Sequence, residues 1–301
     1  MNPSPTVAAV VVTFNRRELL EKVLDALEQQ ERPIDHLYII NNASTDDTRE
    51  YLKERAFTRP TTVITSANNT GGAGGFTRGI EAAWQGGEDL IWLMDDDTVP
   101  HADALGELVD AWCGATELRG DAAPSFACSQ VLWTDGTLCE MNTPETVWDW
   151  PRPLAQGKNW MDVKSCSFVS CMVSREAVEA VGYPYREYFI WFDDAEYTMR
   201  LAKWRPGIFV PSSQVDHLLP QNRGVNWGDV NEKNIWKFEY GMRNQLSAAW
   251  SLRQPELVLS LMRNVLGQAR GAGVDKALRV KLLKAALKGL TFHPAKRFPE
   301  K

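Results

Sequence analysis

Short apolar runs alternate with helical patterns along the first part of the chain. Val7–Phe14 is rich in β-branched residues and ends at the polar Asn15, and Arg17–Gln30 then carries apolar residues at helical spacing. Further short strands are predicted at Leu37–Ile40, Thr62–Thr65 and Leu90–Met94. Strands that alternate with helices predict an α/β fold with a doubly wound, mostly parallel sheet flanked by helices.

Polar residues follow three of these strands. Asn15 follows the first strand, Asn41 follows the second, and Asp95–Asp97 follow the fourth. In a doubly wound sheet, ligands bind beyond the carboxyl ends of the strands. We therefore expect these residues to share one site.

The rest of the chain has a different pattern. Residues from about 122 to 162 are rich in Trp, Pro and turn formers, which predicts irregular structure with short strands. The last part of the chain has long helical periodicity and becomes basic toward its end.

Composition narrows the class of protein. The 301 residues carry a net charge of −6, which argues against nucleic acid as a partner. The five cysteines are odd in number and lack CxxC spacing, so we expect reduced thiols rather than disulfides or a zinc site. The N-terminus has no basic region typical of a signal peptide, and Val7–Val12 is too short to span a membrane. We therefore expect a cytoplasmic protein.

The sharpest chemical feature is Asp95-Asp96-Asp97, directly after an apolar strand. Three adjacent carboxylates repel one another, and a divalent cation such as Mg²⁺ or Mn²⁺ would relieve the repulsion. The alternative is a solvated acidic turn in which an aspartate caps a helix.

A second acidic cluster, Asp193, Asp194 and Glu196, lies among aromatic residues. A carboxylate there could deprotonate a hydroxyl as general base. The alternative is a surface turn that begins a helix, where acidic residues favour the helix dipole. Asp216-His217 follows a short apolar run, and His217 is either a structural residue or a metal ligand alongside Asp95–Asp97.

The segment Asn68–Gly79 contains five glycines and predicts a turn that leads into a helix. Such backbone can approach a ligand closely, and a helix N-terminus favours anions. It matches neither a P-loop nor a dinucleotide fingerprint, and a plain flexible loop is the alternative.

Together these segments resemble the family-2 glycosyltransferases, which have the GT-A fold. The matches, in order, are VVVTFNRRELLEKVLDALEQQ, YIINNASTDDT, LIWLMDDD, FDDAEY and KFEYGMRNQL, the last with Tyr240, Arg243 and Asn244. Within the family, NNTGGAGGFTRG, the full DDD, WFDDAEY and the later DH look most like bacterial galactofuranosyltransferases. Rhamnosyltransferases are the nearest competitor.

The resemblance implies a role for each matching residue. The nucleotide-sugar-binding set would be Asn15, Asn41, Asn69, Gly74, Arg78, Asp95 and Asp96. The ligands of Mn²⁺ or Mg²⁺ would be Asp95, Asp97 and His217. On the acceptor side, Asp194 would be the base, supported by Asp193, with Trp191 and Glu196 contacting the acceptor. Asn15 and Asn41 would lie near the nucleotide base. The family usually has Asp where this chain has Asn41, and an Asn side-chain oxygen can also accept a hydrogen bond from the base.

The resemblance also implies a division of the chain. Residues 1–250 would form the catalytic domain, with a nucleotide-sugar half at about 1–120 and an acceptor half at about 121–250. Residues 251–301 would form a basic, helical C-terminal extension. The implied reaction is inverting transfer from a nucleotide-diphosphate sugar, best matched by UDP-galactofuranose, to a glycan or lipid-linked glycan of the cell surface. The rivals are a dTDP-rhamnose-dependent transferase, a nucleotidyltransferase, a retaining glycosidase and a non-catalytic carbohydrate-binding protein.

The extension suggests a second partner. From Asp275 to Lys301 the chain carries eight basic and two acidic residues, a formal charge of +6. Leu278, Leu282 and Ala285, with Leu290 as a further candidate, would share one face of a basic amphipathic helix. Such a helix can lie on the inner surface of the cell membrane, and the alternative is a helix packed on the catalytic domain.

Overall fold

The computed structural model describes residues 4–120 and 122–300. Met1–Pro3, Asp121 and Lys301, which fall within the predicted domain bounds and the basic tail, lie outside the described residues.

In the part of the chain that the structure describes, ten strands form one sheet. They are β1 Val7–Thr13, β2 His36–Asn41, β3 Thr61–Thr65, β4 Leu90–Asp95, β5 Thr98–Pro100, β6 Phe126–Trp133, β7 Glu145–Thr146, β8 Met161–Ser165, β9 Cys171–Ser174 and β10 Gly207–His217. The strand order is β3-β2-β1-β4-β9-β6-β10-β8-β7, and β5 pairs with β10 outside this path.

Ten α-helices accompany the sheet within the described residues. They are α1 Arg17–Glu28, α2 Thr48–Glu54, α3 Gly71–Gly86, α4 Ala104–Leu118, α5 Arg152–Ala155, α6 Arg175–Val181, α7 Asp193–Trp204, α8 Ile235–Ser251, α9 Glu256–Gly271 and α10 Lys276–Thr291. Short 3₁₀ segments, among them 140–142 and 168–170, occur in the connections.

The first four strands of the sheet order are parallel, as the alternating pattern predicts. The chain reverses direction across the sheet at β1, which lies between β2 and β4. Such a switch point opens a crevice at the carboxyl ends of the strands. Val12 of β1 lies opposite Asp95 of β4, so this crevice is where the acidic residues emerge.

The remaining strands are mixed in direction. β9 runs antiparallel between β4 and β6, and β10 is parallel to β6 but antiparallel to β8 and β5. Three of these strands, β6, β7 and β8, lie wholly or partly in the region 122–162 that the composition marked as irregular with short strands.

The core lies on both faces of the sheet. Along β1, Val7, Ala9 and Val11 face a cluster that includes residues of α1 and α4. Ala8 and Val10 face a second cluster with residues of α3, α6 and α7. Burial on both faces explains why β1 is apolar throughout rather than alternating.

A third hydrophobic cluster joins α8, α9 and α10. Beyond α10 the chain returns to the main body, where the carbonyl of Arg297 accepts a hydrogen bond from Tyr183 N at 2.8 Å and Arg297 pairs with Glu81 at 3.0 Å. α8 shares its core with the predicted extension, and the domain division at residue 250 stays a prediction.

Candidate active site

The carboxylates after β4 are largely withdrawn from solvent. Asp96 and Asp97 are each 4% exposed, and Oδ2 of Asp96 accepts a hydrogen bond from Phe14 N at 3.2 Å. Burial raises the pKa of Asp96 to about 6 despite the nearby Arg16. Burial, Asp97 and Asp96 together raise the pKa of Asp95 well above its usual value. The crevice therefore holds closely spaced acids in surroundings that favour a cation.

Arg16 supplies part of that positive charge. Its Nη1 lies 3.3 Å from Oδ1 of Asp96 and 2.5 Å from Oδ2 of Asp97. No sequence motif marks Arg16 as a site residue, although it directly follows Asn15 at the end of the first strand.

His217 is brought beside Asp97 by strand pairing. It is the last residue of β10 and lies opposite Thr98 of β5, the residue that follows Asp97. Its Nε2 lies 3.3 Å from Oδ1 of Asp97, and both side chains are about 6% exposed. Burial alone would raise the pKa of Asp97, but His217 and Arg16 together hold it below its usual range.

Asn142 fixes the orientation of the His217 ring. Its Nδ2 donates to Ser167 Oγ at 2.8 Å, which leaves its Oδ1 to accept from His217 Nδ1 at 2.9 Å. With a proton held on Nδ1, the ring in its neutral form can offer Nε2 to a cation. No sequence motif marks Asn142, because it lies in a turn-rich segment.

The pair formed by Asp97 and His217 fits a divalent cation. Oδ1 of Asp97 is buried and accepts no hydrogen bond from any described residue, yet it lies only 3.3 Å from His217 Nε2. Carboxylate oxygen and imidazole nitrogen are ligands that Mn²⁺ accepts. A carboxylate or amide partner on the far ring nitrogen is also typical of metal-binding histidines.

Asp95 does not join this pair in the structure. Across residues 4–120 and 122–300, no group of three or more His, Cys, Asp or Glu side chains is arranged to hold a metal ion. The three-ligand set of the sequence analysis is therefore not assembled. Like-charged carboxylates repel, so only a bound cation would favour bringing Asp95 closer to Asp97.

The second acidic cluster faces the first. Asp193 is buried at the start of α7, and its charge contributes to the raised pKa of Asp95. Burial and Asp194 raise the pKa of Asp193 to about 8. Burial also raises the pKa of Asp194, which remains partly exposed and accepts a hydrogen bond from Ala195 N at 2.7 Å. A partly exposed carboxylate with a raised pKa suits a general base.

Trp191 and Glu196 have different environments. Trp191 is half-buried against α8, with its ring edge-to-face on Phe238 at 5.0 Å. Glu196 is 1% exposed and binds Arg200 through both carboxylate oxygens, at 3.0 and 3.1 Å. This buried ion pair leaves no carboxylate surface for an acceptor, so we remove Glu196 from the proposed acceptor-binding residues.

The two asparagines expected near a nucleotide base shape the loop after β2. Oδ1 of Asn15 accepts from Thr45 N at 2.7 Å, and Oδ1 of Asn41 accepts from Ser44 N at 2.9 Å. Asn41 is 1% exposed. The Asn41 oxygen that was expected to accept from a base is thus already bonded within the loop, so we do not assign it a base contact.

Asn42 links this loop to the glycine-rich segment, and sequence reasoning passed over it in favour of its neighbour Asn41. Its Nδ2 donates to Asn69 Oδ1 at 3.1 Å and to Gly71 O at 2.9 Å, while its Oδ1 accepts from Thr70 N at 3.0 Å. Asn69 Oδ1 also accepts from Gly71 N at 2.8 Å. Asn69 is thus held at the crevice by hydrogen bonds.

Most of the glycine-rich segment is helix rather than turn, since α3 begins at Gly71. A Cβ on Gly75 would lie 2.5 Å from Val12, and one on Gly79 would lie 2.2 Å from Val10. These glycines therefore allow close packing of α3 on β1. Gly74 is buried, and a Cβ there would meet the side chain of Thr70; its contact with a ligand stays a prediction.

Arg78 is exposed on α3, and its Nη1 donates to Ser66 Oγ at 3.2 Å. Ser66 directly follows β3, so the guanidinium lies at the same edge of the sheet as the other strand ends. This position is compatible with a phosphate contact, which stays a prediction.

A switch-point crevice with acidic residues on both sides is the architecture of a GT-A glycosyltransferase. A family model described as "Glycosyl transferase family 2" matches residues 8–182. The chain belongs to this family, and it is a glycosyltransferase.

Two curated relatives match the chain over similar lengths. Over 222 residues the chain is 31% identical to the galactofuranosyltransferase GlfT1 of Mycolicibacterium smegmatis, covering 67% of each chain. Over 215 residues it is 30% identical to the GlfT1 of Mycobacterium tuberculosis, covering 66% of this chain and 65% of the relative. The match therefore spans about two thirds of the length of these relatives.

Solved structures support the fold. The mannosyltransferase PcManGT from Pyrobaculum calidifontis, in complex with GDP-Man and Mn²⁺, superposes with a TM-score of 0.58 at 17% identity, covering 96% of this chain and 88% of that one. S. aureus TarS gives a TM-score of 0.53 at 15% identity, covering 94% of this chain and 53% of that one.

Proposed function

We propose that this protein is an inverting, metal-dependent galactofuranosyltransferase that uses UDP-galactofuranose and a glycan or lipid-linked glycan acceptor. The observation that carries metal dependence is the buried Asp97 Oδ1, which accepts no hydrogen bond from a described residue and lies 3.3 Å from His217 Nε2. The galactofuranosyl donor is supported by the two relatives named galactofuranosyltransferase. A transferase that complexes Mn²⁺ among the structural neighbours supports the choice of cation.

Each side of the crevice has its own task in this mechanism. Asp97 and His217 would hold Mn²⁺ or Mg²⁺, with Asp95 completing the set in the presence of the cation. When bound, the cation would neutralise negative charge on the diphosphate leaving group. Arg78 would contact the diphosphate, and Asp96 would lie near the ribose.

The acceptor half supplies the proton transfer. Asp194 would remove the proton from the acceptor hydroxyl as that oxygen attacks the anomeric carbon from the face opposite the diphosphate. A single displacement of this kind inverts the anomeric configuration. Asp193, whose pKa of about 8 keeps it largely protonated near neutral pH, would shape the acceptor pocket together with Trp191.

A donor screen tests the proposal. Purified protein with Mn²⁺ and a glycan acceptor is supplied in turn with UDP-galactofuranose, dTDP-rhamnose, UDP-glucose and UDP-galactose, and the product mass is measured. Transfer from UDP-galactofuranose alone is expected. Preferential transfer from dTDP-rhamnose would overturn the donor assignment and favour a rhamnosyltransferase.

The structure of α10 does not expose the face that was predicted to contact a membrane. Leu278, Leu282 and Ala285, the face expected to meet a membrane, are buried in the cluster shared with α8. This face of the helix is thus packed on the protein, which is the alternative to membrane binding stated above. No described helix is both long and apolar enough to cross a membrane.

A different face of α10 is open. Four apolar residues at helical spacing are 36–67% exposed: Val280, Leu283, Leu287 and Leu290. The helix also carries five cations and no acid. We propose that this outer face binds an anionic lipid surface, where each basic residue contributes ~1 kcal/mol.

Vesicle flotation tests this contact with matched variants. Leu287→Glu changes a residue of the outer face that is 67% exposed, and Leu259→Glu changes an equally exposed residue of α9 (68%). With phosphatidylglycerol vesicles at low salt, we expect Leu287→Glu to reduce recovery in the lipid fraction and Leu259→Glu to leave it unchanged. Equal recovery of all three proteins would overturn the proposal.

A further inference from the structure

The acidic pair Asp193 and Asp194 follows a turn with a strained backbone. This aromatic turn, residues 188–192, directly precedes Asp193 and α7. Phe189, Trp191 and Phe192 have φ of 65°, 65° and 68°. Bulky side chains rarely adopt the left-handed region, so surrounding structure must hold the turn in place.

Asn244 of α8 provides one such restraint. Its side chain is fully buried, and its Nδ2 lies 2.9 Å from Tyr188 O, 3.1 Å from Ile190 O and 2.8 Å from Trp191 O. The two N–H groups of a single side-chain amide thus serve three carbonyls of the aromatic turn, which requires one N–H to be shared.

Arg243 fixes which way the Asn244 amide faces. Its Nε and Nη2 donate to Asn244 Oδ1 at 3.0 and 2.8 Å, so the amide nitrogen must face the turn. Nη2 also donates to Glu187 O at 2.8 Å and to Tyr188 O at 3.2 Å. Tyr240, on the same face of α8, stacks on Phe189 with ring centroids 5.0 Å apart.

The N-terminus of α3 restrains the turn from the other side. Ala73 N donates to Phe189 O at 3.2 Å. Gly71 has φ of 71°, and a Cβ there would lie 1.9 Å from Phe189 O. The carbonyl of Gly71 also accepts a hydrogen bond from Asn42 Nδ2 at 2.9 Å. The aromatic turn is therefore held between a glycine of the donor half and the Arg243–Asn244 pair.

We propose that Arg243 and Asn244 are positioning residues: they hold the aromatic turn in its strained conformation and thereby place Asp193 and Asp194 for transfer. This inference rests on the proposed function of those carboxylates. It assigns a task to the YGMRN segment, which the mechanism otherwise leaves unused. It also predicts that the contacts act on turnover and leave donor binding intact.

Asn244→Asp is the sharpest test. It keeps the shape of the side chain and the acceptor for Arg243, but it places an oxygen where the three carbonyls need a donor. We expect kcat to fall by on the order of 10²-fold, the effect of an ~1 Å misplacement of a reacting group. The Kd for UDP with Mn²⁺, measured by calorimetry, should stay within about twofold of the original value.

Hydrogen exchange gives a readout that needs no turnover. In Asn244→Asp, amides of residues 188–194 should exchange at least ~10-fold faster, while β1 and β4 keep their protection. Leu108→Ala is the control for lost stability, because Leu108 of α4 is fully buried in the first core cluster, which contains no residue of the aromatic turn. It should lower Tm without changing exchange at 188–194 or kcat of the folded protein.

Two glycine variants test the contact on the opposite side of the turn, where Gly71 lies against Phe189. Gly71→Ala and Gly87→Ala both place a Cβ at positive φ, at the two ends of α3, but Gly87 has open space around it. Only Gly71→Ala should increase exchange at 188–194 and lower kcat.

The outcomes separate this inference from the proposed function. Unchanged exchange at 188–194 in Asn244→Asp, or a loss of kcat matched by Leu108→Ala, would overturn the positioning role. Altered exchange in a protein that transfers from none of the four donors would leave the positioning role standing and refute the proposed function.

Discussion

Replacing Glu196 by Gln removes the negative charge from a buried ion pair. Glu196 is 1% exposed and Arg200 is 6% exposed, and Arg200 also donates to Val181 O at 2.7 Å and Tyr183 O at 3.1 Å. The variant retains side-chain size but leaves the Arg200 guanidinium buried without its counter-charge. Loss of one partner from a buried pair costs about 3–5 kcal/mol.

Gln keeps one acceptor for Arg200, so we expect a loss of folding free energy at the lower end of this range, about 3 kcal/mol. For a domain of 150–250 residues, 1 kcal/mol shifts Tm by roughly 2–4 °C, which gives a decrease of ~6–12 °C for Glu196→Gln. Scanning calorimetry measures this decrease. The KM for acceptor should be unchanged at a temperature where both proteins are folded.

Glu176→Gln is the matched control. Glu176 pairs with Arg205 at 2.9 Å, but the two side chains are 56% and 29% exposed. Exposed pairs contribute ~0–1 kcal/mol, so Tm should hardly move. A Glu196→Gln variant with unchanged Tm and a raised acceptor KM would refute the structural role and restore Glu196 to the acceptor site.

Further predictions concern the metal and the base. Asp97→Ala should abolish turnover and weaken UDP binding in the presence of Mn²⁺, and unchanged calorimetric affinity would contradict its role. His217→Ala should raise the Mn²⁺ concentration required for activity, and Asn142→Ala should weaken Mn²⁺ affinity by ~10–100-fold through loss of ring orientation, with Mn²⁺ titrations as the measure. Asp194→Asn should keep donor binding but lose transfer by ~10²-fold or more. Near-normal transfer by Asp194→Asn would move the base elsewhere, first to Asp193. Burial raises the pKa of Asp194, so Asp194 becomes protonated at a higher pH than an ordinary aspartate. The wild-type rate should therefore begin to fall, as pH decreases, at a pH where an ordinary aspartate is still ionised.

The sequence was sufficient to predict the parallel half of the sheet and the location of its polar edge. The strand from Val7 is apolar at every position, which is typical of a strand buried on both faces, and it lies at the centre of the parallel strands. Asp95–Asp97 follow a buried strand in the sequence, so their position at a strand end needs no long-range information.

Local patterns were less informative where glycine and acidic residues have several uses. From the sequence alone, Gly75 and Gly79 are equally consistent with a flexible backbone that contacts a ligand and with close packing of a helix. Their proximity to Val12 and Val10 in the structure shows that they allow close packing. Glu196 belongs to an acidic motif, but its partner one helical turn later turns it inward.

The tertiary structure alone determined the partners of the site residues. Asn142 contacts His217 from 75 positions away, and Asn244 contacts Tyr188 from 56 positions away. Neither partner has a pattern around it that predicts the contact, because hydrogen bonds between distant segments depend on how the sheet and helices bring them together. Periodicity records which face of an element is buried, and it contains no information about which distant side chain will lie opposite.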